Sequence, residues 1–316
     1  MKILVAGGAG YIGTVLVPKL IDRGYEVDVV DLLWFGNYLP KSVTVIQKDI
    51  FDLTIEDLKQ YNQVIFLAGL SNDPMAEYSP KENFIQNAAA PAYLGYIAKQ
   101  AGVQRFIYAG SCSVYGYTVN ELYDETSPAV SNYPYGISKL QGEDSALQMI
   151  DDNFSVICFR QGTVSGYSPR MRLDLVINTM FKTALSTGKI TVNNPSIWRP
   201  ILSIHDAVRA YIRAVEANQE ISGVFNVSSG NYTIGELGDL VQYSLNEQMG
   251  QKIQLDIKNI QDFRNYKVSI DKAMKILSYK PMHDVAAIIN DLIKNYEKFK
   301  DFDNQAYYNI QVFKKR

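Results

Sequence analysis

The 316-residue sequence predicts an α/β protein in which a doubly wound parallel sheet is followed by a smaller C-terminal lobe. Three observations carry that expectation. Short β-branched and apolar runs alternate with helical patterns through the first half, and the runs lack the polar alternation of a half-exposed sheet, as strands buried on both faces do. A glycine-rich turn follows the first run directly. From about residue 162 the rhythm breaks into shorter elements separated by Ser-, Pro- and Arg-containing loops. A chain of this length can bury one large core and a dependent second one.

In chain order, residues 2–6 form the first strand. With one charge, too short an apolar run and no cleavage-site pattern, this start reads as a strand rather than a secretion signal. A helix over 12–23 is closed by Gly24, where a left-handed cap is wanted, and Gly102 closes a second helix in the same way. Further strands are expected at 27–31, 43–47, 64–67, 105–108 and 155–159. In the second half, Thr233 and Glu236 make a capping box for a helix to about residue 247, and 285–299 reads as a closing helix. The organisation is therefore 1–162 for the first domain, 163–300 mainly for the second lobe with some segments returning to the sheet, and 301–316 as a tail. The tail is aromatic and basic and suggests no function by itself.

Bulk properties exclude several classes. Net charge is −2, from 31 basic and 33 acidic residues spread along the chain, so no field draws nucleic acid or an anionic membrane. No apolar stretch approaches the ~20 residues of a membrane span. Cys112 and Cys158 read as two small buried residues in a reducing, cytoplasmic setting. His205 and His283 lie far apart without ligands at zinc spacing, so no metal is expected. No Gly-x-Ser-x-Gly elbow supports a serine hydrolase.

Residues 7–13 read Gly-Gly-Ala-Gly-Tyr-Ile-Gly, after a strand and at the head of a helix, the context that gives a glycine fingerprint meaning. Gly7 permits the turn, Gly10 lets backbone approach a pyrophosphate, and Gly13 allows close helix–strand packing. The helix start, with Tyr11 and Ile12, offers N–H groups and partial positive charge to phosphate. Asp31 ends the second strand, placed to accept hydrogen bonds from ribose hydroxyls and to repel a 2′-phosphate. Leu32, Leu33 and Trp34 supply no cation to accommodate one. The first domain thus reads as a Rossmann domain that binds NAD in preference to NADP.

Tyr135 and Lys139 leave one face of a helix a turn apart. A phenol of pKa near ~10 needs about 4 kcal/mol to become a base near ~7, which an ammonium and a cofactor cation can supply. Lys139 would also hold the nicotinamide ribose. Upstream, residues 105–116 run from an apolar strand into a small-residue turn. Ser111 falls at the carboxyl edge of the sheet, where its hydroxyl can share a proton with Tyr135 and polarise a substrate C–O bond. For Ser113 a turn-capping role and for Cys112 a packing role are expected.

The ordered set Gly7 to Gly13, Ser111-Cys-Ser-Val-Tyr-Gly, Asp124-Glu-Thr-Ser-Pro, Tyr135-Gly-Ile-Ser-Lys and Arg199-Pro-Ile-Leu-Ser-Ile-His-Asp resembles the extended short-chain dehydrogenases known as NAD-dependent epimerase/dehydratases, over roughly residues 1–297. The resemblance implies a nucleotide-diphosphate sugar as substrate, with Ser111, Tyr135 and Lys139 as the catalytic set. It implies that Arg199 grips the diphosphate by bidentate pairing and that Arg264 is the second diphosphate arginine. Asp49 and Ile50 fall where the family packs adenine, and Leu67, Ala68 and Gly69 where its backbone lines the cofactor. Residues 168–174 resemble a subgroup handling modified hexose or heptose nucleotides, so Arg170 and Arg172 are substrate contacts or else solvated loop cations. The resemblance also implies a homodimer packed through the Tyr135 helix and the helix over 82–101.

Departures from the family pattern bear on the reaction. The Asp-Glu pair with which 4,6-dehydratases eliminate water is replaced by Cys112 and Ser113, which disfavours dehydration. Thr163 stands where UDP-galactose 4-epimerases place an asparagine against substrate, and Phe66 where a histidine is frequent. The leading expectation is an epimerase working through a 4-keto intermediate. A C4 dehydrogenase or reductase shares every residue named, and a non-catalytic dinucleotide sensor would need only the glycine turn and Asp31. The nucleotide, the sugar and the pathway stay open.

Overall fold

The computed structural model describes residues 1–259 and 265–316. Its strands in chain order are β1 (Lys2–Ala6), β2 (Glu26–Asp31), β3 (Thr44–Gln47), β4 (Gln63–Phe66), β5 (Arg105–Ser111), β6 (Tyr117–Tyr123), β7 (Ser155–Gln161), β8 (Thr163–Ser165), β9 (Lys189–Asn193), β10 (Trp198–Ser203), β11 (Gly223–Val227), β12 (Gly230–Thr233), β13 (Gln254–Lys258) and β14 (Asn265–Val268). Seven of them form one sheet in the order β11-β7-β5-β4-β1-β2-β3, and every pairing in it is parallel.

The apolar runs become the central strands for the expected reason. β4 and β7 are buried at every position, and β5 at all but its last residue, Ser111. Helices cover both faces. The helix Gly13–Ile21 and the helix Ile204–Glu216 share one core with Val5, Ile65 and Phe159, while the helix Ala90–Gln100 packs with Leu4, Phe66 and Tyr108 on the other face. Gly24 and Gly102 take φ values of 83° and 84°, the left-handed geometry their positions called for. The predicted strand at 105–108 runs on to Ser111, because its small residues pair with β7 out to Gln161.

A buried arginine fixes the returning helix to the sheet. Arg105 Nε donates to Ser155 Oγ at 2.9 Å, and its Nη atoms donate to the carbonyls of Ala214, Ala217 and Asn218. A guanidinium thus satisfies the end of Ile204–Glu216, where carbonyls lack helical partners and favour a cation.

Beyond the large sheet, β10 lies between β8 and β12, β9 pairs with β13, and β6 pairs with β14. A separate core of Met171, Phe181, Ile201, Leu237 and Ile289 lies beneath these strands. The capping box at Thr233 and Glu236 heads a helix over Ile234–Met249, and the closing helix spans Val285–Asn295 before a 3-10 turn at Tyr296–Lys298. Among the described residues no helix is long and apolar enough to cross a membrane.

Reversal of strand order between β1 and β4 opens a crevice at the carboxyl edge of the sheet, the place where doubly wound folds bind ligands. Asp31, Leu67, Ser111 and Gln161 all reach that edge and line a cleft of about 750 Å³.

Candidate active site

The glycine turn is built as its spacing requires. Gly7 has φ 76°, its N–H donates to Val30 O at 2.8 Å, and a Cβ on it would lie 2.5 Å from Ala68 N. A Cβ on Gly13 would fall 2.2 Å from Gly8 O, so the helix start sits directly on the turn. That start has no side-chain cap at Ile12, which leaves N–H groups available to an anion, and Gly10 and Ile12 line the cleft beside it. Tyr11 also borders the cleft, but its phenol turns away, donating to Gly166 O at 2.6 Å and accepting from Asn178 at 3.1 Å. It ties the turn to the second half of the chain, so only its backbone remains to serve phosphate.

Asp31 receives the Ala9 N–H at 3.0 Å and the Leu33 N–H at 2.8 Å. Burial pushes its carboxyl up, and those two hydrogen bonds together with the Arg170 charge oppose the rise. Asp49 caps the 3-10 turn Ile50–Asp52 by accepting from Phe51 N at 3.0 Å. It lines the cleft with Ile50, Leu67, Ala68 and Gly69. A glycine cradle, free N–H groups and a carboxylate at the end of β2 fit an adenine dinucleotide.

At the other end of the cleft stand Ser111, Tyr135 and Lys139. The tyrosine and lysine lie on the helix Pro134–Leu147, and the Lys139 ammonium is 6.0 Å from the Tyr135 ring centre. Lys139 donates to Ala109 O at 3.0 Å, which holds it beside the end of β5. Burial lowers its amine to about 8. The Tyr135 phenol is pushed up by burial, with nearby Asp73 adding to the rise, while the Ser111 side chain and the Arg172 charge pull it down. Without cofactor, the protein's own groups thus hold the phenol above its ordinary value. The further lowering has to come from the cofactor's positive charge.

Ser111 Oγ accepts from the Ser113 N–H at 3.2 Å and from Ser113 Oγ at 2.8 Å. Cys112 is fully buried and donates to Arg160 O. Beneath this turn, Glu143 of the Tyr135 helix pairs with Arg160 of β7 through contacts of 2.6 to 3.2 Å, both residues being buried. The pair fixes the helix against the sheet.

Thr163 and Arg199 line the cleft from β8 and β10. Arg199 lies over the Tyr266 ring, 5.3 Å from its centre. Arg264, read as a second diphosphate arginine, lies outside the described residues. Arg172 and Arg170 are both buried, which excludes solvated loop cations. Arg172 pairs with Asp174 at 2.9 Å and interacts with Tyr135, whereas Arg170 lies over Phe35 of the loop after β2 and interacts with Asp174 and Asp31. Phe66 is buried within β4.

Several cleft residues escaped the sequence reading. Asn72 caps the helix Asp73–Tyr78 and donates to Asp174 at 2.8 Å, joining the loop after β4 to the Arg172 segment. Gln161, at the end of β7, donates to Gly110 O at 3.3 Å. Asn309 and Ile310 of the tail also reach the cleft. The Asn-Asp-Pro helix start at 72–74 was a legible local signal, but nothing local links it to the site. His205 and His283, distant in sequence, have ring centres 5.3 Å apart, each beside an aspartate. Among the described residues no group of His, Cys, Asp or Glu could hold a metal ion.

The sheet, its switch-point crevice and the glycine turn define a dinucleotide-binding protein whose cleft also reaches β8 and β10. Residues 3–228 match the model of the NAD dependent epimerase/dehydratase family, and the chain belongs to that family. It is 24% identical over 315 residues to a UDP-glucose 4-epimerase of Corynebacterium glutamicum, covering 92% of this chain and 94% of that protein. It is 25% identical over 312 residues to UDP-glucuronic acid decarboxylase 3 of Arabidopsis thaliana, covering 89% and 84%. Among solved structures, MoeE5 in complex with UDP-glucuronic acid and NAD superimposes with a TM-score of 0.83 at 25% identity, covering 94% of this chain and 99% of that one. NAD dependence, a property of the family, agrees with the cradle and with Asp31.

Proposed function

We propose that the protein is an NAD-dependent nucleotide-sugar 4-epimerase. The similar proteins act on UDP sugars, and a UDP-hexose is the first substrate to test. Bound NAD supplies a hydride acceptor and a positive charge beside Tyr135. Tyr135 takes the proton of the sugar C4 hydroxyl, Ser111 bridges the phenol and that oxygen, and Lys139 stabilises the phenolate. Once the sugar has turned in the pocket, hydride would be delivered to the opposite face of C4 while Tyr135 returns the proton to the carbonyl oxygen, so the cofactor would end in its starting state.

The observation carrying epimerisation over elimination or decarboxylation is the pair beside Ser111. Cys112 is buried with its thiol pushed up by burial, and the Ser113 hydroxyl donates to Ser111. Neither supplies the extra acid or base those reactions use, whereas epimerisation asks only for a reversible proton shuttle at one hydroxyl.

The test is incubation of the purified protein with NAD and single UDP sugars, without another redox partner, followed by chromatography and mass spectrometry. Interconversion of C4 epimers at constant mass is expected. Loss of water or carbon dioxide, or stoichiometric NADH with a released ketone, would overturn it.

A further inference from the structure

Among the described residues four guanidinium groups are buried: Arg105, Arg160, Arg170 and Arg172. Arg160 and Arg172 pair with Glu143 and Asp174, and Arg105 has its donors spread over three backbone carbonyls and Ser155 Oγ. Arg170 is different. It is 2% exposed, yet among the described residues no carboxylate lies within ion-pair distance, and its Nε has no partner. Enclosing a cation without a counter-charge is costly unless a ligand brings one.

The surroundings of Arg170 indicate which ligand. Its guanidinium lies over Phe35, 3.7 Å from the ring centre, and it interacts with the charges of Arg172 and Asp174 and, more weakly, of Asp31. Phe35 and Asp31 belong to the loop after β2 and to β2 itself, the strand that ends beside the glycine turn. Arg172, two residues further on, pairs with Asp174 and interacts with Tyr135. Both arginines line the cleft that the glycine turn also borders.

The tail fixes this arrangement. Asn309 accepts from Arg170 Nη2 at 2.5 Å and donates to Ser71 Oγ at 2.6 Å, while Tyr307 O accepts from Leu173 N at 2.9 Å. Phe313 stacks on Trp34, with ring centres 5.8 Å apart. One short segment thus spans the loop after β2, the loop after β4 and the arginine stretch.

We infer that Arg170 binds the phosphate and ribose portion of the dinucleotide, not the sugar nucleotide, and that the C-terminal segment belongs to the cofactor site as the support that positions it. The inference rests on NAD dependence and not on the reaction performed on the sugar.

Full-length protein stripped of cofactor is titrated calorimetrically with NAD, with ADP-ribose and separately with UDP. Arg170→Met should weaken NAD and ADP-ribose by roughly ten- to a hundredfold, the range for loss of a charge-assisted contact, and leave UDP within about twofold. Asn309→Ala, which keeps the cation but removes its support, should weaken both dinucleotide probes by a smaller factor and serves if Arg170→Met does not fold. Weakened UDP binding with unchanged NAD and ADP-ribose binding would overturn the assignment. So would unchanged affinity for all three probes. Epimerase failure with these shifts intact would discard only the reaction proposed above.

Discussion

The Lys139 ammonium stands 6.0 Å from the centre of the Tyr135 ring and donates to the Ala109 carbonyl, so one helical turn places a cation beneath a phenol at the end of β5. Burial raises the phenol and lowers the amine together. Both shifts favour the uncharged pair, and the site becomes a base only when further positive charge arrives.

Removing the proton acceptor tests that arrangement. Tyr135→Phe should lower turnover by at least ~10³-fold, while the NAD dissociation constant stays within a few-fold. Steady-state rates with a UDP sugar, alongside NAD titration, check it. A variant of wild-type rate would remove Tyr135 from the chemistry.

Lys139 gives a prediction in stability. With its amine lowered to about 8 in the folded protein and near ~10.4 in the unfolded chain, the unfolded state binds more protons between those values. Stability therefore rises with pH through that window, and below it folding carries the full cost of the enclosed ammonium. Lys139→Met abolishes the titration. Relative to the variant, the cofactor-free wild type should gain up to about 3 kcal/mol between about pH 7.5 and pH 10.5, read from urea midpoints. A difference independent of pH would contradict the depressed amine.

Ser111 and Ser113 separate a reacting hydroxyl from its support. Ser111→Ala should cost about 10² to 10³-fold in kcat, as the loss of an oxyanion donor does. Ser113→Ala removes only a donor to Ser111 and should cost less than about tenfold. Single-turnover NADH formation measures both, and equal losses would argue against the assignment.

At the cofactor turn, Gly13→Ala pushes a methyl against the Gly8 carbonyl and should destabilise the protein by about 2 to 3 kcal/mol while weakening NAD. Gly24→Ala, in open space at φ 83°, should cost only about 1 kcal/mol and leave NAD binding alone. Thermal unfolding with and without NAD distinguishes the two.

Under the site, Glu143→Ala strands the Arg160 guanidinium with the Tyr115 hydroxyl as its remaining side-chain acceptor among the described residues. A loss of about 3 to 5 kcal/mol is expected, typical of breaking a buried pair from one side. Denaturant unfolding checks it, and a loss under about 1 kcal/mol would indicate that water reaches the pair.

What the sequence determined by itself was local or periodic. Runs of β-branched residues marked strands buried on both faces, a strand followed by Gly-x-x-Gly-x-x-Gly marked the dinucleotide turn, and a four-residue spacing put Tyr135 and Lys139 on one helical face. These depend on dihedral freedom and on side-chain direction within a few residues, which the chain carries whatever its environment. The tertiary structure alone decided what lies across the cleft. It set Arg170 over Phe35 and paired Arg172 with Asp174, although the two arginines look alike in the sequence. It brought Asn309 of the tail to Ser71 and raised the phenol through burial. Proximity between distant segments and the removal of water exist only once the chain is packed, so neither leaves a signature in the order of residues.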